Sequence, residues 1–216
     1  MAGERQKAVA EAVLRTHGRT FAEEIGIRLK DTPQPLFQLL CASLLLSARI
    51  ASGNAVEAAR ALRQAGLTSP RRMVEASWQD RVDVITWHGY KRYDESTATM
   101  LGDTAELLLS RYDGDLRKLR REAGGDIDRE KTLLKQFKGI GEVGAGIFLR
   151  EVQGIWDEAY PYADRKVLES AGKLGLPTDG DQLARLVSKA DFPRLASGLV
   201  RVGLRRAHDE VRRQAA

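Results

Sequence analysis

Residues 133–148 read LLKQFKGIGEVGAGIF, and this stretch decides the fold by placing a glycine turn between two helical patterns. Gly139 and Gly141 flank Ile140, which predicts that Ile140 plugs into the core while both glycines adopt backbone angles that side chains disfavour. The second helix would then begin at a turn whose amides face outward. Such amides, with the positive end of the helix dipole behind them, hold a phosphate without reading any base.

Two more glycines lie inside the second predicted helix. Gly144 and Gly146 each cost about 1 kcal/mol relative to alanine in a helix interior. They indicate that either another helix or a nucleic-acid backbone comes close at this point. A plain helical hairpin with a glycine turn explains the spacing of the glycines equally well, so the rest of the chain must decide.

The composition permits a partner with many negative charges. The chain has 216 residues, which suits one domain or two small ones packed together. Lys and Arg number 35 against 30 Asp and Glu, giving a net charge of +5 and a pI of about 9.4. This fits a polyanion, although mildly basic proteins without one are common. The longest apolar stretch, from Leu36 to Leu46, is too short to cross a bilayer, and no signal-peptide pattern is present. We therefore expect a cytoplasmic protein without a membrane partner.

Cysteine and histidine usage argues against a structural metal. Cys41 is the single cysteine, so it cannot form an internal disulfide or supply a four-thiolate cluster. The three histidines, His17, His88 and His208, are scattered and have no neighbours at zinc-binding spacing.

Strand patterns are nearly absent, while apolar residues recur at helical spacing along the whole chain. The sequence therefore predicts an all-α fold of about ten short helices joined by short turns.

One aspartate stands where a helix begins. Asp164 follows residues 160–163, YPYA, and precedes a helical pattern, so it is predicted to cap that helix. Aspartate is common at this position and is usually structural there.

The order of glycine turn, intervening helix and Asp164 resembles the helix-hairpin-helix DNA glycosylase superfamily, which contains endonuclease III and the alkylpurine and mismatch base-excision glycosylases. The resemblance covers about residues 33–175. Residues 45–49, LLSAR, look like the helix end that enters the DNA minor groove in that family, and residues 87–90, WHGY, look like its second wedge loop. Residues 137–141 match its hairpin, and Asp164 takes the place of its catalytic aspartate.

The resemblance implies a DNA-binding role for several residues. The hairpin, with Ile140 at its tip, would grip a phosphate beside the damaged nucleotide through the amides of Gly139, Gly141, Val143 and Gly144. Arg49 would occupy the gap left by the extruded base, and Tyr90 would push between bases from the other side. A solvated arginine and a half-buried tyrosine are equally good explanations of Arg49 and Tyr90. A monovalent cation, Na⁺ or K⁺, would be held by the backbone carbonyls of Lys135, Phe137 and Ile140.

In such an enzyme Asp164 would stabilise the positive charge that builds on the deoxyribose as the base departs, or orient or deprotonate the attacking water. Members that also cut the strand carry a lysine where this chain has Val143, which predicts a glycosylase without lyase activity. Lys135 and Lys138 lie nearby in sequence, so a lyase that uses one of these displaced lysines remains an alternative.

An extruded base could stack on Trp87, Tyr90, Tyr160 or Tyr162, with Lys135 near the same pocket, although each aromatic residue could equally pack in the core.

Departures from the family narrow the prediction further. Endonuclease III carries four cysteines for an iron–sulfur cluster after the catalytic helix, and none follow Asp164 here, so no cluster is expected and residues 176–213 would pack through apolar side chains instead. Leu44 stands where the adenine glycosylases have a glutamate, which argues against that substrate.

These observations together predict a two-lobed all-α fold with a cleft between the lobes. One lobe comprises residues 31–152 and carries the hairpin. The second comprises residues 1–30 and 153–216 and carries Asp164. The expected activity is hydrolysis of the N-glycosidic bond of a damaged or mismatched base in double-stranded DNA, by a monomer associated with the nucleoid. A non-catalytic binder of DNA structures, a lyase with a displaced lysine and a helical protein without a nucleic-acid role remain alternatives. The motifs do not specify the base, because selectivity comes from scattered side chains.

Overall fold

A computed structural model describes residues 2–86 and 94–215, and none of these residues lies in a β-strand. The first ten of its fourteen α-helices are α1 Ala2–His17, α2 Phe21–Ile25, α3 Pro33–Ser47, α4 Ser52–Gln64, α5 Pro70–Glu75, α6 Trp78–Thr86, α7 Asp94–Tyr112, α8 Leu116–Ala123, α9 Ile127–Leu134 and α10 Glu142–Val152. A single 3-10 turn, Asp157–Ala159, precedes α11 Arg165–Lys173, α12 Gly180–Ala184, α13 Phe192–Arg205 and α14 His208–Gln214. The all-α prediction is confirmed. None of these helices has both the length and the apolar character that crossing a membrane requires.

The chain divides into two compact units, one formed by residues 22–148 and the other by residues 1–21 and 149–216. The core of the first unit is α3, which is apolar on every side and buried along most of its length. Pro33 starts this helix, where the missing amide hydrogen costs nothing. Helix α4 packs on α3, and both α5 and α6 pack on α7.

The second unit is organised around α13, which packs against α1 and α11. Gly198 allows the close approach of α1, because a Cβ atom at this position would lie only 2.9 Å from a methyl group of Val13. Leu195 and Leu199 of α13 are fully buried, as is Val167 of α11. Apolar packing thus holds the chain that follows Asp164, as expected for residues 176–213.

The unit boundaries differ from the predicted lobe boundaries. The predicted boundaries fall after residues 30 and 152, whereas the structure divides after residues 21 and 148. Residues 22–30 belong to the unit that carries the glycine turn, because two arginines of α4 bind the backbone of α2. Arg60 Nε donates to the carbonyl of Glu24 at 3.0 Å, and Arg63 Nη1 donates to that of Ile25 at 3.0 Å. The cleft between lobes stays a prediction.

Candidate functional site

The glycine turn in the 22–148 unit joins α9 to α10. Gly139 has a φ of +86°, in the left-handed region, and the amide of Ile140 donates to the carbonyl of Phe137 at 2.9 Å. The Ile140 side chain is only 2% exposed and therefore anchors the turn in the core. Gly141 does not share the positive φ predicted for it. Its carbonyl accepts the amide of Ala145 at 3.0 Å, which is the first backbone hydrogen bond of α10, so Gly141 lies at the start of the helix and needs no positive φ.

Gly139, Gly141 and Gly144 differ in the space that surrounds them. A Cβ atom at Gly139 would lie 2.6 Å from the sulfur of Met100 and 3.3 Å from Leu44, so both the backbone angle and the available space require glycine. A Cβ atom at Gly141 would meet nothing within 4 Å. At Gly144 it would touch Ile140 at 3.4 Å and Ser47 of α3 at 3.6 Å. Those are ordinary van der Waals distances, so space does not require glycine at residue 144, and the exposed Gly141 leaves the start of α10 uncovered.

This difference gives a paired prediction for the turn. Gly139→Ala is expected to lower the free energy of unfolding by about 1–3 kcal/mol, because alanine is strained at positive φ and the methyl group collides with Met100. Gly141→Ala is expected to leave stability unchanged but to weaken duplex binding, because its methyl group would stand beside the amides that are predicted to hold a phosphate. Urea unfolding and DNA titration of both variants measure this. Equal DNA affinity of Gly141→Ala and wild type would contradict the phosphate-binding role.

Acidic side chains engage the lysines around the turn. Lys131 and Lys135 both pair with Glu142, the first residue of α10, with the Lys135 Nζ 3.3 Å from a carboxylate oxygen. These hydrogen bonds lower the pKa of Glu142 below its usual range. Lys138 pairs with Asp103 at 3.0 Å. Val143, by contrast, carries no charge and its side chain is half-exposed at 50%.

Part of the predicted cation site is occupied by hydrogen bonding. The carbonyl of Phe137 accepts the Ile140 amide, which leaves one of its two lone pairs for an ion. The neighbouring carbonyl of Lys138 accepts a hydroxyl hydrogen bond from Thr104 at 3.4 Å. Within residues 2–86 and 94–215, no three His, Cys, Asp or Glu side chains come together as a metal site of that kind would need. The carbonyl site for Na⁺ or K⁺ at Lys135, Phe137 and Ile140 stays a prediction.

In the other unit, Asp164 is the N-cap of α11. One carboxylate oxygen accepts the amide of Val167 at 3.1 Å, and the other pairs with Nη1 of Arg150. The Asp164 side chain is 17% exposed, so part of the carboxylate faces solvent. Each carboxylate oxygen has two lone-pair directions, so neither contact exhausts its capacity to accept a hydrogen bond.

Arg150 is a buried charge that holds Asp164. Its side chain is only 3% exposed, and its guanidinium lies over the ring of Phe21 at 5.6 Å from the centroid. Its Nε is 3.8 Å from a carboxylate oxygen of Glu151, which in turn accepts the hydroxyl of Ser197 at 2.6 Å. Buried charges are tolerated when they are paired in this way.

The loop that leads into Asp164 is fixed by one amide side chain. Buried Gln153 donates to the carbonyls of Arg150 at 2.9 Å and Tyr162 at 3.1 Å, and it accepts the amide of Tyr162 at 2.8 Å. The Tyr160–Pro161 peptide bond in this loop is cis. Helix cap, buried arginine and anchored loop together hold the carboxylate in one place. A carboxylate held in this way can stabilise a positive charge or orient a water molecule.

Sequence reasoning missed the residues that hold Asp164. Arg150, Glu151 and Gln153 interrupt the apolar run at the end of α10, and charged residues are almost never fully buried unless they are paired. That interruption was the available signal. It could show that partners were needed, but it could not name Ser197 or Asp164 as those partners.

Comparison with known proteins identifies the fold. No protein-family model matches the chain, and no curated protein matches it. A solved structure of a non-covalent endonuclease III–DNA complex matches over 89% of this chain and 81% of that chain, with 14% identity and a TM-score of 0.54. A trapped endonuclease III–DNA covalent intermediate, an estranged-adenine complex, matches over 88% and 84%, with 16% identity and a TM-score of 0.50. The chain has the endonuclease III fold.

The remaining predicted residues occupy varied places in this endonuclease III fold. Arg49 is exposed just after α3 ends at Ser47, as either a wedge or a solvated arginine would be. Trp87 and Tyr90 lie outside the described residues. Tyr160 meets the buried ring of Phe192 edge-on at 5.5 Å, and Lys189 lies 5.2 Å from its ring centroid. Tyr162 is half-buried and ties the loop to Gln153 through its backbone. Tyr160 therefore has a packing role, Tyr162 anchors the loop through its backbone, and the stacking of either ring on a base stays a prediction.

Proposed function

We propose that this protein is a DNA glycosylase that hydrolyses the N-glycosidic bond of a damaged or mismatched base in double-stranded DNA. The observation that carries the proposal is Asp164, a partly exposed carboxylate fixed at the N-terminus of α11 by Arg150 and by its own cap hydrogen bond. The endonuclease III fold and the uncovered start of α10 after the glycine turn support it. We further propose that the enzyme acts as a monomer in the cytoplasm, associated with the nucleoid.

Base excision requires extrusion of the base and then cleavage of the glycosidic bond, and the glycine turn and Asp164 serve these two steps separately. Extrusion of a base from the duplex costs a few kcal/mol, and amides of Gly141, Val143 and Gly144 offset it by holding a neighbouring phosphate. The bond between base and sugar then breaks, its electron pair leaves with the base, and positive charge develops on the deoxyribose. Asp164 stabilises that charge. The oxygen of a water molecule bonds to the sugar carbon, and the water proton is released to the carboxylate or to the departing base.

The absence of lyase chemistry forms part of the proposal. Val143 stands where a nucleophilic lysine would be, and an aliphatic side chain cannot form a Schiff base. The two nearest lysines by sequence, Lys135 and Lys138, are engaged with Glu142 and Asp103. We therefore expect an intact abasic site as the product.

A substitution at the turn tests this assignment. Val143→Lys is expected to create a product that borohydride traps as a covalent protein–DNA adduct, because residue 143 is half-exposed at the start of α10. The wild type is expected to give no adduct under the same conditions. Denaturing gel electrophoresis after borohydride treatment measures both. An adduct formed by the wild type would instead support a displaced lysine, which Lys135→Gln and Lys138→Gln would then locate.

The single cysteine and the hairpin carbonyls determine which inorganic cofactors we propose. A cluster of iron and sulfur held by four thiolates cannot form on one cysteine, and Cys41 is buried with a thiol pKa raised by that burial. We propose that the enzyme works without such a cluster and that Na⁺ or K⁺ binds at the hairpin carbonyls. Replacing both ions by tetramethylammonium is expected to weaken duplex binding without changing the fold measured by circular dichroism.

The direct test is a panel of duplexes that carry alkylated, deaminated, oxidised or mismatched bases. Wild-type protein is expected to convert at least one of them to an alkali-labile site, scored by strand cleavage after hot alkali. An undamaged duplex of the same sequence is the control. Failure to release any base, in conditions where the protein binds the duplex, would contradict the proposal.

A second candidate, a binder of abasic or bent DNA without turnover, is favoured by one observation. Both carboxylate oxygens of Asp164 already serve structural contacts, with Val167 and Arg150. Such a binder would show tight, salt-dependent affinity for abasic duplexes and no base release from any member of the panel. The same panel, measured for both binding and release, separates the two functions.

A further inference from the structure

A cavity of about 600 Å³ lies in the unit formed by residues 1–21 and 149–216, away from the contacts of Asp164. It is bounded by the ends of α1 and α13 and by α14. The lining side chains that matter here are His17, Arg205, Arg206, Asp209, Glu210 and Arg213. This volume is within the range of small-molecule sites in proteins.

His17 is the buried polar group of this cavity. It is only 7% exposed, yet neither ring nitrogen has a hydrogen-bond partner in the part of the chain that the structure describes. Burial lowers the pKa of His17, as do the charges of Arg205 and Arg201, while Glu210 acts in the opposite direction. A buried polar atom without a partner costs roughly 1–3 kcal/mol, and such atoms point to a missing ligand or water.

The guanidinium groups around His17 are also available. Among the described residues, no acid pairs with Arg205, Arg206 or Arg213. Asp209, one of the two acids of the lining, is already paired with Arg212 at 2.5 Å. Three unpaired guanidinium groups therefore face one remaining carboxylate, and the cavity has an excess of positive charge.

We propose that this cavity binds a phosphate group, either of a free phosphate or phosphomonoester or of a nucleic-acid backbone. Planar guanidinium groups match the oxygens of phosphate and bind them through paired hydrogen bonds. A ring nitrogen of His17 supplies a further donor at the buried end of the site. The proposal does not depend on Asp164 or on base release.

The test follows the His17 imidazole by NMR in the full-length protein while inorganic phosphate is added, with chloride at equal ionic strength as the reference. Phosphate is expected to shift the His17 signals in a saturable manner. Arg213→Gln is expected to weaken phosphate binding roughly tenfold, since it removes a charge-assisted contact. Arg185→Gln is the matched control, because this exposed arginine belongs to the same unit and does not line the cavity.

The outcomes of this titration distinguish the two sources of the phosphate. They also distinguish failure of the phosphate-site proposal from failure of the glycosylase proposal. A lesion-free duplex that shifts His17 as phosphate does would identify the backbone as the ligand, whereas a shift with phosphate alone would identify a small phosphate compound. Equal responses to phosphate and chloride, or equal weakening by both arginine variants, would overturn the proposal. The same titration of Asp164→Asn is expected to match wild type, so failure of the glycosylase proposal and failure of this one are distinguishable.

Discussion

Replacing Asp164 by asparagine is expected to lower the rate of base release by about 10²–10³-fold, the effect seen when one stabilising group is removed from a developing charge. Asparagine caps helices as well as aspartate does, so the hydrogen bond to the amide of Val167 survives. The negative charge does not survive. Single-turnover release of the base from the best substrate of the lesion panel measures the loss.

A matched control exists in the same unit. Asp179 is the N-cap of α12 and accepts the amide of Gln182 at 2.9 Å. Asp179→Asn therefore makes the same chemical change at a second helix start and is expected to leave base release unchanged. Release by Asp164→Asn at the wild-type rate would exclude Asp164 as the catalytic residue, and the group that stabilises the developing charge would then have to be sought elsewhere in the chain.

Replacing Arg150 by methionine is expected to lower the free energy of unfolding by about 3–5 kcal/mol, because removing one partner of a buried ion pair leaves the other charge uncompensated. Methionine keeps apolar contact with Phe21 but removes the guanidinium that pairs with the buried carboxylate of Glu151. Asp164 also loses the partner of its second oxygen. Urea unfolding followed by circular dichroism measures the change.

Arg165→Met provides the comparison for this loss. Its side chain is 87% exposed and lies 3.5 Å from Glu169, an exposed pair that contributes little to stability. This variant is expected to change the free energy of unfolding by no more than about 0.5 kcal/mol. A similarly small change in Arg150→Met would show that the buried pair does not stabilise the unit, and that Asp164 is held by its cap alone.

The turn and the aspartate could be predicted because their causes are local. Glycine at residue 139 permits a positive φ, Ile140 beside it is apolar, and Asp164 directly precedes a helical pattern. The same pattern predicts a similar angle for Gly141, which also flanks Ile140. The structure shows that this glycine has an ordinary helix-start role and leaves open space, a difference that composition does not reveal.

The supports of the site could not be predicted because their partners are distant in sequence. Arg150 pairs with a residue 14 positions away, and Glu151 accepts a hydroxyl from Ser197, 46 positions away. Sequence periodicity shows that such charges sit in an apolar helix, but it does not show what neutralises them. The first unit boundary differs for the same reason, since Arg60 and Arg63 reach back across more than 30 residues to bind α2.

The hydrogen bonds of Gln153 restrict which residue can occupy this position in related sequences. Glutamate at this position would lose both donated hydrogen bonds and face two carbonyl oxygens, while asparagine would be one methylene too short to span Arg150 and Tyr162. Homologues that retain this loop should therefore keep glutamine there, together with the arginine before it and the capping aspartate after it. A sequence that keeps the loop but changes one of the three residues should change the other two as well, because the three side chains bind one another or the same backbone.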